Sequence, residues 1–516
     1  VARLYEYQAK ELLKKEGIDV PKGAVAGSGE EAASIADDLS CQLAIKAQVW
    51  TTDRASLGGI AFAGGKDEAR EKAELILKKE FKGVAAQKVL VEEKLDIDRE
   101  FYAGIIIDDT ARRPVVLFSS VGGTGIEEIA RRFPDKLARE EVVISDGFPE
   151  YRARELVRKT GISGPLVLKL GKLISSLYKV ARKYEARAVE VNPLVLTGDG
   201  RLVAADCRIT IDDYAVFRHP ELGIDIAREF SRPASELERI AYKVEEGDYR
   251  GTFYFIQLAE RFKRGDGYIG FHGAGGGGSM MSMDAVLREG FKLANFCDTS
   301  GNPPASKVYR AARIILAQGD IDGYFASGSG VASQEQFHSA RGLVKAFREE
   351  WLSVPAVIRL GGNAEEKAMD ILAKYTGDLP ATIEGYGRDD TPEFCAKRLT
   401  ELIKKGIPSS GKKPEVEPCS PSQASYSFKT LTGFIYIDYE RCKNCKEKPC
   451  ISACIPEILK LEEGLPGLAI SEEEAARGKC IECLACELAC QFSGEKGLFI
   501  ELPIPGLEEY RRERSG

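Results

Sequence analysis

Eight cysteines stand near the C-terminal end of this chain in two runs, Cys442-x2-Cys445-x4-Cys450-x3-Cys454 and Cys480-x2-Cys483-x2-Cys486-x3-Cys490. Three closely spaced thiols can wrap one cubane iron–sulfur cluster if short loops turn the backbone around it, and the fourth thiol of each run then serves the other cluster. The spacing therefore assigns Cys442, Cys445, Cys450 and Cys490 to one [4Fe-4S] cluster, and Cys480, Cys483, Cys486 and Cys454 to a second. Zinc takes two Cys-x2-Cys arms and has no use for a Cys-x3-Cys extension. An even disulfide framework belongs to secreted chains. The other five cysteines (Cys41, Cys207, Cys297, Cys395 and Cys419) are scattered and read as inert.

A chain of 516 residues has room for three or four domains, and 44% hydrophobic residues can build their cores. No apolar run approaches the roughly 18 residues of a membrane span, so no membrane role is expected. The net charge of −7, with signs interspersed, offers no basic patch for nucleic acid. The opening Val1-Ala-Arg-Leu-Tyr-Glu-Tyr lacks a signal-peptide apolar core, so a cytoplasmic, anaerobic setting is expected for the thiols.

Proline, serine and glycine collect between Gly406 and Lys429 and read as a linker. The expected division is 1–235, 245–406, a linker over 407–430 and a cysteine domain over 431–509. Helices are expected at Tyr7–Glu16 and Leu166–Tyr184, and a strand at Leu43–Trp50. Strands Ala188–Thr197 and Arg201–Arg208 around Gly198-Asp199-Gly200 read as a hairpin. A turn centred on Asp199 sets Asn192 opposite Asp206, and the period of two adds Glu190 to the same face. Such a face suits Mg²⁺ on nucleotide phosphates, or equally a solvated polar strand with a Glu190–Arg208 pair.

Strand, glycine loop and helix follow one another three times between residues 268 and 385. The loops are His272–Ser279, Ser327–Gly330 and Gly361–Asn363, with helices expected at Met283–Glu289, Ser333–Glu349 and Glu365–Tyr375. Repeated units of this kind imply a parallel sheet with ligands at the strands' carboxyl ends. There Gly273, Gly275, Gly328 and Gly330 are candidates for backbone contact with an anionic ligand.

Six motifs carry a family resemblance: Tyr5-Glu6-Tyr7-Gln8-Ala9-Lys10; Ile45-Lys46-Ala47-Gln48-Val49; Leu90-Val91-Glu92 with Arg99-Glu100-Phe101-Tyr102; Gly122-Gly123 with Ile126-Glu127; Glu190-Val191-Asn192-Pro193-Leu194-Val195; and Ala294-Asn295-Phe296. Over Val1 to about Ile407 the chain resembles the β subunit of succinyl-CoA synthetase and related NDP-forming acyl-CoA synthetases. The cysteine segment resembles bacterial two-cluster ferredoxins, except that four residues separate its second and third cysteines and the usual prolines become Pro456 and Gln491. The resemblance implies an α/β multidomain chain: an ATP-grasp domain, a flavodoxin-like parallel-sheet ligase domain and a small α+β two-cluster ferredoxin-like domain.

Carried over, the resemblance implies that Lys46, Arg54, Glu92 and Glu100 meet ATP or GTP, that Asn192 and Asp206 hold Mg²⁺, and that Glu190 is the catalytic candidate. Phosphohistidine and most of the CoA site would belong to an α-type partner, and His219, His272 and His338 read as structural. Two departures stand out. The family's glycine-rich loop has become Trp50-Thr51-Thr52-Asp53-Arg54-Ala55-Ser56-Leu57-Gly58-Gly59, and its Phe-Gly-Gly-Ile-Val loop has become Ser327-Gly328-Ser329-Gly330-Val331. The first would weaken or remodel nucleotide binding; the second makes succinate an unsafe guess.

The implied function is acid, CoA and ATP interconverted with acyl-CoA, ADP and phosphate, with clusters that connect the subunit to a ferredoxin-dependent oxidoreductase or a ferredoxin. The alternative is an electron-transfer subunit of a larger redox complex, its synthetase-like body a scaffold or a nucleotide- or CoA-responsive gate.

Overall fold

The computed structural model describes residues 2–50, 54–81, 83–228, 232–328, 330, 332–406 and 421–515. The chain divides into two compact units, Val1–Ala234 and Ser235–Gly516.

In the first unit a small antiparallel sheet runs Gly23–Ala26, Val89–Glu93, Leu43–Ala47, Ile60–Ala63. Leu43, Ile45, Val89 and Val91 alternate along their strands and bury one face against Ala32, Ala36, Ala69 and Ala73 of helices Gly29–Leu39 and Lys66–Leu77. Alanines on both helices let the backbones sit close to the sheet. The strand expected over Leu43–Trp50 ends at Ala47.

A larger sheet runs Ala2–Arg3, Cys207–Ile211, Ala186–Thr197, Ile97–Asp108, Arg113–Ser119, Leu137–Glu141. Its core packs on helices Glu150–Lys159 and Pro165–Lys183. Leu194 pairs with Ala204 and Glu190 with Arg208, so the hairpin register is centred on Asp199 as its turn requires. The return strand is not continuous. It breaks into Leu202–Ala204 and Cys207–Ile211, leaving Ala205 and Asp206 between them, where their groups can turn into the site.

In the second unit, strands Asn295–Asp298, Tyr268–Ala274, Gly323–Gly328, Ala356–Arg359 and Ile383–Tyr386 lie parallel, with Tyr254–Gln257 antiparallel at one edge. Helices Gly276–Arg288 and Pro392–Lys405 share one core, and Ala305–Leu316 and Phe337–Glu349 share another. The first of these helices begins seven residues before the expected Met283, because the glycine run itself supplies its first turn. The helix expected from Ser333 begins at Phe337.

The supposed linker needs correction at its end. Residues 407–420 lie outside the described residues, but Tyr426–Lys429 is a strand, paired with Phe434–Ile437, which in turn pairs with Leu498–Glu501. Phe428 and Ile435 point into a core that runs without interruption from Leu237, Tyr324 and Phe347 to Leu488, Leu502 and Tyr510. The cysteine segment is thus built onto the parallel-sheet body. Arg310, from helix Ala305–Leu316, donates to Thr432 O at 2.7 Å and Pro503 O at 3.1 Å, satisfying carbonyls at that junction.

Candidate functional site

Between the two sheets of the first unit, three cations meet three carboxylates. Lys46 Nζ lies 2.6 Å from Glu92 Oε1 and 3.1 Å from Glu6 Oε1. Lys10 Nζ lies 2.6 Å from Glu92 Oε2 and 2.8 Å from Glu6 Oε1. Arg54 bridges Glu6 Oε2 and Asp206 Oδ2, each at 2.8 Å. Both lysines also donate to Ala205 O, at 2.7 and 2.8 Å, at the break in the return strand. Burial pushes the Glu6 carboxyl up, but Lys46, Lys10 and Arg54 outweigh it and hold it well below the ordinary 4.5. Asp206 moves the other way: burial and Glu6 raise it despite Arg54 and Lys46.

Glu6 and Lys10 head this network although sequence reasoning gave them no role. Their signal was the i, i+4 spacing in the motif at residues 5–10: one helical face carries an acid and a base among apolar neighbours. Glu92, expected at the nucleotide, is 2% exposed and held between the lysines. Glu100 lies half-buried on strand Ile97–Asp108, facing Gly123.

Asn192 N donates to Asp206 O at 3.1 Å, so the hairpin does bring these residues opposite each other. Their side chains have separate partners: Asn192 Oδ1 accepts from Gly123 N and Nδ2 donates to Thr124 O, both at 2.9 Å, while Asp206 meets Arg54. Burial raises the Glu190 carboxyl, against the Arg208 charge across the ladder and with Asp206 and Glu127 adding to the rise. Among the described residues, no three His, Cys, Asp or Glu side chains close on a point as the ligands of a lone ion would. A nucleotide-borne Mg²⁺ needs only one or two protein oxygens, since phosphates and water supply the rest. Asp206 and Asn192 fit that smaller demand. Thr51, Thr52 and Asp53, the heart of the altered loop, lie outside the described residues.

In the second unit the glycine loops are knitted inward. Gly275 holds φ +97° and donates its N–H to Asp298 Oδ1 at 2.9 Å. A Cβ on Gly273 would stand 2.1 Å from Ser279 Oγ, so this glycine admits the following helix. Arg359 donates to Gly328 O at 2.9 Å, and its guanidinium stands beside Gly330. Ser329 and Val331 lie outside the described residues. His272 is buried, bonded to Tyr324 Oη at 2.7 Å and to Thr299, and burial brings its imidazole down to about 4. His338 is likewise brought down to about 4 by burial, and His219 faces Glu185 at 3.1 Å.

The eight clustered thiols are all buried. Beyond burial, the groups acting on each thiol separate them into two sets. Cys442 and Cys450 feel Cys490 and Cys445, whereas Cys480 and Cys486 feel Cys483 and Cys454. Cys454, Cys480, Cys483 and Cys486 line one small cavity with Ile435, Pro456, Ile458, Leu484 and Ile500. Backbone N–H groups of Lys496, Gly497 and Leu498 are directed at the Cys490 sulfur, and those of Glu457, Ile458 and Leu459 at Cys454. A Cβ on Gly497 would stand 3.0 Å from Cys442 Sγ. The residues fit two thiolate-held clusters: two separate quartets, apolar walls and amide donors to sulfur.

Fold and site together define an ATP-grasp ligase body, and the ATP-grasp domain family model matches residues 3–196. The chain is 39% identical over 382 residues to the succinate–CoA ligase [GDP-forming] subunit beta of Thermus thermophilus, covering 74% of this chain and 96% of that one. It is 38% identical over 402 residues to the succinate–CoA ligase [ADP-forming] subunit beta of Methanothermobacter thermautotrophicus, covering 78% and 99%. The chain belongs to the family of succinate–CoA ligase β subunits. A solved ATP citrate lyase from Methanothrix soehngenii shares the fold at TM-score 0.62 and 19% identity, over 78% of this chain and 99% of that one. These relatives are matched nearly end to end, while about a fifth of this chain has no counterpart in them.

Proposed function

We propose that the chain is the β-type subunit of an NDP-forming acid–CoA ligase, acting with an α-type subunit that carries the phosphohistidine and most of the CoA site. The network of Lys10, Lys46 and Arg54 with Glu6, Glu92 and Asp206 carries this reading. Three cations balance three carboxylates, so an incoming triphosphate must bring its own counter-ion. Mg²⁺ would supply that charge, and Asp206 and Asn192 are the residues that would hold it. Arg54 then leaves Asp206 for the phosphates, while Lys46, fixed by Glu6 and Glu92, keeps its proton and its position. Glu190, its carboxyl raised by burial, is the catalytic candidate on the same face.

The cysteine segment is proposed as a ferredoxin-like module holding two [4Fe-4S] clusters, which supply one-electron transfer to a ferredoxin or a ferredoxin-dependent oxidoreductase. The separation of the thiols into two quartets supports this.

Purified without oxygen beside its α-type partner, the protein is expected to form acyl-CoA and ADP from ATP, CoA and one of a panel of aliphatic and aromatic acids. No turnover on any acid would sink the ligase reading. Calorimetric titration of Lys46→Ala is expected to give Mg-ATP binding weaker by about 10–100-fold, the worth of a charged hydrogen bond. Unchanged binding, or none in the unaltered chain, would favour a redox subunit on a ligase-shaped scaffold.

A further inference from the structure

Helix Phe337–Glu349 belongs to the parallel-sheet body, yet two buried cations on one of its faces, Arg341 and Lys345, turn toward the cysteine segment. Lys345 Nζ lies 2.7 Å from Glu487 Oε1 and 2.9 Å from Glu349 Oε1. Glu487 adjoins Cys486 in helix Ala485–Ser493, so this contact fixes the body against the second thiol quartet. One turn back, Arg341 is 9% exposed, stacks on Phe337 at 4.8 Å, and lies beside the Cys483 and Cys486 thiols. Among the described residues, its Nη1 is buried without a hydrogen-bond partner.

Two carboxylates adjacent in sequence to this quartet's cysteines have cation partners. Glu482 meets Arg250 at 2.5 Å, and Glu487 meets Lys345. Among the described residues, the groups acting on Arg341 are Cys483, Cys486 and Tyr375, with no Asp or Glu. Among the described residues Arg341 itself has no carboxylate partner. At the first quartet, by contrast, Lys448 and Asp438 both act on Cys442 with opposite signs.

Resting on the cluster reading above, we infer that Arg341 is a tuning residue: its charge raises the potential of the cluster on Cys454, Cys480, Cys483 and Cys486 above that of the other. One electron from a low-potential ferredoxin-type donor adds one negative charge to a thiolate-held cluster and moves no proton. Arg341 stabilises that charge in a buried, low-dielectric setting, where attraction is strongest. Electrons entering the pair come to rest on the cluster beside the ligase body.

The test is a dithionite redox titration of the anaerobically purified full chain, followed by electron paramagnetic resonance, with iron and sulfide measured on every sample. Two separate midpoints are expected in the unaltered chain. Arg341→Gln and Arg341→Met should move the higher midpoint to a more negative potential and leave the lower one in place, while Arg341→Lys restores most of the difference. Neutral variants with full iron content and both midpoints unmoved would overturn the inference and spare the cluster reading. Iron loss from the neutral variants would overturn it in favour of a structural role. An unaltered chain lacking iron and sulfide would remove the cluster reading itself.

Discussion

Glu6 touches three cations at once, and its removal leaves Lys10, Lys46 and Arg54 short of a counter-charge in a buried place. Breaking one side of such a cluster costs about 3–5 kcal/mol, so Glu6→Gln is expected to destabilise the first unit by that order in denaturant unfolding. A pH dependence accompanies it. Because the folded carboxyl titrates well below 4.5, the stabilisation is complete above that pH and disappears as pH falls through the lower, folded value. Acid unfolding curves of the first unit should therefore slope below about pH 4.5 in the unaltered protein and flatten in Glu6→Gln. An equal slope in both would place the titration elsewhere. The sequence showed the i, i+4 pair but not its burial, since charged residues are ordinarily solvated and only the meeting of two sheets brings Glu92 and Asp206 to it.

At the level of single elements, helices Ala305–Leu316 and Phe337–Glu349 touch backbone to backbone at Gly342, where a Cβ would stand 2.4 Å from Ala305 O. Gly342→Ala is expected to cost about 1–3 kcal/mol through overpacking, read from equilibrium unfolding of the second unit. A neutral effect would mean that the helix pair yields freely. Local pattern revealed much here. The hairpin register around Asp199 and the parallel order of the glycine-loop strands both follow from spacing that acts over a few residues. Helix starts were less legible: glycine disfavours helices in general, so the run at 275–278 read as loop, although its residues are free to form a first turn. The strand Tyr426–Lys429 was hidden among prolines and serines because its partner lies beyond them in sequence.

Over the whole molecule, the second unit has one core that joins the parallel-sheet body to the cysteine segment, whereas the first unit has cores of its own. Extracting the proposed iron under reducing conditions is accordingly expected to lower the melting temperature of the second unit and leave the first unit's transition in place, as scanning calorimetry would show. A uniform shift of both would tie the units together thermodynamically. No periodicity could have revealed that joint core, because it gathers residues such as Tyr324 and Leu488 from distant stretches of chain. The division of the thiols bears on how the protein is made. Cys490 stands with Cys442, Cys445 and Cys450, and Cys454 stands with a run that begins at Cys480. During synthesis neither set has all its members until the second run, Cys480 to Cys490, has been made. Loading of the two proposed clusters would therefore wait for both runs, and a product ended before Cys480 would forfeit both together.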